Sequence, residues 1–317
     1  MKKIIYLLLT IFLLSCQSST KKTANVPVIG FLDAFEDETI AQAKKGFFDA
    51  LRDSGYSEDR NTLKVIYRNA QNDMPTLVQI CDYFVSENVD IIASNATTST
   101  INAAQKTKTI PVCMMVSPSP EQMQLIDENG KAPANLFGVY ETLDYIDSSI
   151  TIIKILFPQT KRLGLIYNQA EPQSVSAFER VKKQCNLSGI ELVSLPVNSS
   201  SETQLVVQSL INKGIDAFFA MPDNTIFSSF EVIAESCNNA NIPIFTSEPG
   251  LVKRGSLAAF GADMYKWGYQ SGECAVQFLR TKHVPPTEIV KIRKRMISVK
   301  VAKRFGIDVN SITFTPI

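Results

Sequence analysis

The chain has 317 residues, 45% of them hydrophobic, with 32 Lys plus Arg, 31 Asp plus Glu and one histidine. So even a charge balance leaves no electrostatic footprint for a nucleic-acid partner. The length is enough for two lobes with separate cores.

In chain order, Lys2 and Lys3 precede an apolar stretch from Ile4 to Leu14. It is too short to span a bilayer comfortably and reads as the core of an export signal. Leu13-Leu14-Ser15-Cys16 then resembles the bacterial lipobox, with a small residue directly before the cysteine. This reading expects residues 1–16 to lie outside the fold, with cleavage before Cys16 and lipidation of its thiol. Acyl chains would then hold the protein on the periplasmic or cell-surface side of a membrane. The competing reading is an ordinary signal peptide with a chance cysteine. Residues 17–25, "QSSTKKTAN", are short and polar and suit a flexible tether.

From Val28 onward, short apolar strands alternate with amphipathic helices. "VPVIGFL" is a strand, and "TIAQAKKGFFDALRDSGY" a helix with Ile40, Ala43, Phe47, Ala50 and Leu51 at helical spacing and Gly55 as its stop. "TLKVIYRNA", "DIIASN" and "IPVCMMVS" follow as strands, separated by the helices "MPTLVQICDYFVSENV" and "TTSTINAAQKTKT". Residues 121–136, "EQMQLIDENGKAPANL", read as a helix and loop entering a second lobe. The pattern then restarts with "KRLGLIYN", "IELVSLPV", "IDAFFAM" and "IPIFTSEPG" as strands and three helices between them. Asp90 matches Asp216, Gly30 matches Gly164, and Ile110-Pro111-Val112 matches Ile242-Pro243-Ile244. Such alternation, written twice, predicts an α/β chain of two Rossmann-like lobes with parallel sheets covered on both faces.

In doubly wound sheets, functional groups collect beyond the carboxyl ends of the strands. Those ends are polar in both halves: Asp33-Ala34-Phe35-Glu36, Thr97-Thr98-Ser99, Ser117, Tyr167-Asn168, Asp223-Asn224-Thr225 and Ser247-Glu248. Each of these residues alone could be a helix cap. Their recurrence in both halves instead describes a cleft that closes on a small molecule. Cys81, Cys113, Cys185, Cys237 and Cys274 have no CxxC spacing and read as buried thiols. With His283 as the lone histidine, beside "VPP", no metal or cofactor is expected.

"VIGFLDAFEDETIAQAKKGFFDALRDSGYSEDRNTLKVIYRNAQND" resembles the opening of bacterial ABC-transporter substrate-binding lipoproteins of the tryptophan/tyrosine type. "RLGLIYNQAEPQS", "MPDNTIFSSFEVI", "IPIFTSEPGLVKRGSLAAFGADMYKWGYQSG" and "VAKRFGI" continue the likeness in order to Ile307. The resemblance implies a type I periplasmic-binding-protein fold with three crossover strands. It places lobe one at about 26–117 plus 264–283, and lobe two at about 118–263 plus 284–317. It also implies a monomeric, non-catalytic receptor that delivers an amino acid, often aromatic, to a membrane permease with its ATPase. An aliphatic or polar amino acid is the alternative, because Thr97-Thr98-Ser99-Thr100-Ile101, Ser117-Pro118-Ser119 and Asn168-Gln169-Ala170-Glu171 depart from the common family motifs.

Carried over by position, the ligand carboxylate would meet Thr97 and Thr98, where free N–H groups and the helix dipole favour an anion. Asp223, beside Asn224, would take the ammonium, with Glu248 and Asp263 as further acids. Phe35 and Tyr167 would sandwich the side chain. Asn168 and Ser117 would complete the polar rim, with Glu36 and Ser247 at the same strand ends. Two other readings compete. A doubly wound enzyme could use paired carboxylates such as Glu36 and Asp223, but GxGxxG, GxSxG and P-loop motifs are all absent. A lipid-anchored sensor would share the binding site and differ only in partner. The basic run "KIRKR" from Lys291 reads as a solvated strand face.

Overall fold

The computed structural model describes residues 26–309 and 313–317. The expected signal segment, Cys16 and the tether lie outside the described residues. Two sheets organise the rest. The first contains β1 (Val28–Asp33), β2 (Lys64–Asn69), β3 (Ile91–Asn95), β4 (Val112–Met115), β5 (Leu136–Tyr140) and β11 (Thr287–Ile289), in the order β11-β5-β4-β3-β1-β2, every pair parallel. The second contains β6 (Arg162–Tyr167), β7 (Glu191–Pro196), β8 (Ala217–Ala220), β9 (Ile244–Thr246), β10 (Ala258–Ala262), β12 (Arg293–Ile297) and β13 (Thr315–Pro316). Its order is β13-β12-β10-β9-β8-β6-β7, with β12 antiparallel to β10.

The helices of the first lobe are α1 (Glu38–Asp53), α2 (Met74–Ser86) and α3 (Thr97–Lys106). Those of the second are α4 (Tyr145–Leu156), α5 (Pro172–Leu187), α6 (Thr203–Asn212), α7 (Asn224–Ser228), α8 (Phe230–Asn239), α9 (Gly250–Lys253) and α11 (Val299–Arg304). Central strands β1, β3, β4 and β8 are buried almost throughout, as parallel strands covered on both faces must be. Among the described residues the chain crosses between lobes three times: after Tyr140, at Asp263 and between Val290 and Ile292. This is the type I periplasmic-binding-protein architecture. The second crossing leads into α10 (Met264–Thr281), which returns to lobe one and packs along α1. Gly46, Gly268 and Gly272 let the two backbones approach so closely that none has room for a Cβ.

The internal repeat is visible atom by atom. Asp90 Oδ2 accepts from Val28 N at 2.8 Å, and Asp216 Oδ2 accepts from Arg162 N at 2.8 Å. Each aspartate thus ties the third strand of its lobe to the first. Likewise Ile92 N donates to Pro111 O, and Phe218 N to Pro243 O, both at 2.9 Å.

Two expected boundaries move. β5 and β11 belong to the first sheet, so lobe one runs past residue 117 to Tyr140 and takes residues 287–289 from the segment expected in lobe two. Residues 121–136 contain no helix. There Asp127 Oδ1 accepts from Asn129 N and Lys131 N at 2.9 and 2.8 Å, closing a turn in which Gly130 takes φ +74°. The five cysteines outside the N-terminal segment are free, buried thiols. Burial pushes Cys81, Cys185, Cys237 and Cys274 up to about 12. The basic run is consumed by local partners: Lys291 pairs with Glu288, Arg293 with Glu141 and Lys294 with Asp263, and Arg295 lies over the Phe260 ring.

Candidate functional site

Between the lobes lies a narrow cavity of about 30 Å³, lined from both sides. Lobe one contributes Thr97, Val116, Ser117 and Pro118. Lobe two contributes Gln173, Pro222, Asp223, Asn224, Phe227 and Glu248. Glu141, Leu143, Tyr145, Met264 and Trp267 line the side nearest the crossovers. The walls are therefore part aromatic, from Tyr145, Phe227 and Trp267. Trp267 is fixed by donating Nε1–H to Val139 O at 2.8 Å.

On the first lobe the wall is strained and open to an anion. Ala96, buried at the start of α3, sits at φ +79°, and Val116 after β4 at φ +52°. Non-glycine residues in this region cost free energy and persist where surrounding structure over-determines them. Three helices that start near the cleft are capped by an aspartate: α1 by Asp37, α7 by Asp223 and α10 by Asp263. The N-terminus of α3 has no side-chain cap, which leaves its first N–H groups available beside Thr97. Thr100 and Ser117 join through their hydroxyls at 3.0 Å and hold the strand end in place.

The carboxyl groups of Asp223, Glu141 and Glu248 face the cavity, and of these Glu248 alone has a buried oxygen without a partner. Both oxygens of Asp223 are engaged. Its Oδ1 accepts from Ile226 N at 2.9 Å, and its Oδ2 from Asn168 N at 2.8 Å and Ser174 Oγ at 2.5 Å. Burial raises its pKa. Neighbouring Glu171 is raised too, by burial and then by the Asp223 charge. Glu171 accepts from Asn224 N at 2.9 Å, from Thr225 Oγ1 and Asn168 Nδ2, and from Gln173 Nε2. Glu141 is held by both arms of Arg293, at 2.5 and 2.9 Å. Glu248 differs. Its Oε1 accepts from Tyr145 OH at 3.2 Å, while its Oε2 is buried without a partner. Burial pushes its carboxyl up to about 8. Gln173 Oε1 and Asn224 Nδ2, also on the cavity wall, are likewise buried without partners.

Of the residues expected from sequence, the cavity wall gathers Thr97, Ser117, Asp223, Asn224 and Glu248. The others stand elsewhere. Phe35 is part of the hydrophobic core, and Glu36 is exposed on an outer groove. Tyr167 stacks flat on Phe178 of its own lobe at 4.2 Å, so the expected Phe35–Tyr167 sandwich does not form. Thr98 is half-buried beside the wall. Asn168 is spent on Thr225, Glu171 and its own turn, and Ser247 is fully buried off the wall. Asp263 caps α10 and pairs with Lys294 at 2.7 Å. Sequence reading missed Glu141, Tyr145, Gln173, Phe227 and Trp267. The only signals were the single tryptophan and the glutamine two residues past Glu171. Glu141 and Tyr145 fall in a stretch that carried no assigned element.

Comparison with known proteins agrees with this geometry. The family model described as "ABC transporter substrate binding protein" matches residues 21–313. A tyrosine-binding protein of Clostridioides difficile is 33% identical over 297 residues, covering 94% of this chain and 84% of that protein. A Streptococcus pneumoniae ABC domain solved in complex with L-Trp is 26% identical and superposes with a TM-score of 0.81, covering 89% of this chain and 95% of the other. A ligand-free, open substrate-binding protein with adhesive properties from Clostridium difficile is 27% identical and covers 92% of this chain and 99% of the other, yet its TM-score is 0.68. At nearly equal identity, the chain superposes better on the complex than on the open, ligand-free protein. By family match, by relatives along its length and by architecture, this chain belongs to the ABC transporter substrate-binding proteins.

Proposed function

We propose that this chain is the exported receptor of an ABC importer, anchored to a membrane through lipidated Cys16, and that its cleft binds an aromatic amino acid as the zwitterion. It would act as a monomer and pass the ligand to a permease with its ATPase. One observation carries the ligand class: the cavity wall holds buried polar atoms of both kinds without partners. Asn224 Nδ2 is a donor, and Gln173 Oε1 and Glu248 Oε2 are acceptors. A buried polar group left unpaired costs about 1–3 kcal/mol, so the site is incomplete until a ligand supplies an acceptor and a donor. An α-amino acid supplies both. Its carboxylate suits Asn224 and the uncapped start of α3, and its ammonium suits Glu248 and Gln173. The rings of Tyr145, Phe227 and Trp267 suit an aromatic side chain, and the relatives that bind tyrosine and L-Trp support that choice.

The test is calorimetric titration of the purified protein, stripped of bound ligand by unfolding and refolding. L-tyrosine, L-tryptophan, L-leucine and a deaminated tyrosine analogue would be compared. At least one aromatic amino acid is expected to bind, with the deaminated analogue weaker by about tenfold or more. Binding of neither aromatic amino acid, or equal binding of the deaminated analogue, would remove the reading.

A further inference from the structure

A second polar cluster joins the lobes beside the cavity rather than inside it. Arg254 follows α9 in lobe two. Its Nε and Nη2 donate to Glu231 of α8 at 2.7 and 2.9 Å, and Nη2 donates also to the carbonyl of Phe227 at 3.0 Å. These bonds hold the guanidinium to its own lobe, with its plane over the Phe230 ring. Nη1 is then aimed across the gap. It donates to Asp37 Oδ2 at 2.5 Å and to Thr39 Oγ1 at 3.3 Å, both in lobe one. The pair is largely buried at the edge of the outer groove, with side-chain exposures of 11% for Arg254 and 2% for Asp37. The other oxygen of Asp37 is already spent on capping α1, accepting from Thr39 N and Ile40 N at 2.8 and 3.0 Å. One residue pair away, Gly250 of α9 meets Thr39 so closely that a Cβ has no room.

We propose that Arg254 is the latch that holds the lobes closed, and that the same guanidinium positions the Phe227 wall of the ligand cavity. The two partners lie on bodies joined only by the three crossovers, so parting the lobes separates Asp37 from Arg254. It also leaves the Asp37 carboxylate without its cation. Closing restores a charge-assisted bond in a largely buried setting, where such bonds are stronger than in water. Because Phe227 lines the cavity, closure and the shape of the wall are set by one side chain. The latch therefore acts on how long the ligand stays rather than on how fast it enters.

The experiment uses Arg254→Gln and Asp37→Asn, singly and together. Asparagine still caps a helix, so the second change removes charge while keeping α1 capped. Release of L-tyrosine is followed by stopped-flow fluorescence of Trp267, the single tryptophan, on the cavity wall. Each single variant is expected to release ligand about tenfold faster or more, with association nearly unchanged, and the double variant no faster than the quicker single. Wild-type release rates in both singles, or rate effects that simply multiply, would overturn the latch. This inference takes only its probe from the proposed ligand class. If the wild type binds neither L-tyrosine nor L-tryptophan, that class fails, and the latch is judged by small-angle scattering of the ligand-free proteins. A larger radius of gyration in Arg254→Gln than in wild type then supports it, and equal radii overturn it.

Discussion

Glu248, two residues past β9, is buried and keeps one oxygen without a partner. Burial is the main reason its pKa stands near 8, with the nearby carboxyl groups of Glu141 and Asp37 adding to it. An incoming ammonium favours the ionised form. The free protein therefore holds a proton below about pH 8 that the complex gives up. With the proton on the free side only, affinity rises with pH, approaching about tenfold per unit, and levels off above about pH 8. Titrations in buffers of different ionisation enthalpy should show up to one proton released near neutral pH. Glu248→Gln should bind more weakly and lose most of this dependence. A Gln variant whose pH profile overlays the wild type would place the titrating group elsewhere, at the Glu171–Asp223 pair.

Among the elements, α7 shows how one aspartate can be read in two ways. Asp223 was expected from its position to meet the ligand ammonium, but its oxygens receive Ile226 N, Asn168 N and Ser174 Oγ. It starts a short helix and ties that helix to the end of β6. Removing it strands Ile226 N–H and the Ser174 hydroxyl, while Asn168 N keeps only Ser174 Oγ at 3.1 Å. Asp223→Ala should therefore lower the stability of the ligand-free protein by about 2–4 kcal/mol, whereas a simple exposed cap contributes on the order of 1. Denaturant unfolding of the ligand-free variant is the measurement, and a loss well below 1 kcal/mol would return Asp223 to a ligand-contact role. α3 is the complement. It opens without a side-chain cap after a strained Ala96, which leaves its first N–H groups without a capping side chain.

At the scale of the molecule, two lobes of one topology meet across a cleft, and contacts of two kinds span it. One is the cavity wall that both lobes share, and the other is the Arg254–Asp37 pair. The proposed membrane anchor lies in the first residues. With Cys16 as the lipidated residue, Cys16→Ser should move the exported protein from the membrane to the soluble fraction, because the acyl chains supply the membrane affinity. Membrane fractionation with immunoblotting reads this directly. An exported Cys16→Ser protein that stays with the membrane would show that another segment or partner anchors it.

The sequence by itself determined the alternation of strands and helices, the internal repeat and the lobe architecture. These rest on local physics: hydrophobic period, turn residues and helix caps. The matched pairs Asp90/Asp216 and Pro111/Pro243 turn out to make the same backbone bonds in each lobe. Thr97, Ser117, Asp223, Asn224 and Glu248 could be found because parallel sheets place strand ends together. The assignment of β5 and β11 to the first sheet was not legible. Those strands have 5 and 3 residues, and their place depends on which edge accepts them. Nor could sequence say which acid is free to bind. Glu141 is neutralised by Arg293, 152 residues away, and Asp223 is satisfied by Ser174, 49 residues away. A carboxylate advertises its charge in the sequence, but only the tertiary structure decides whether its lone pairs are already occupied.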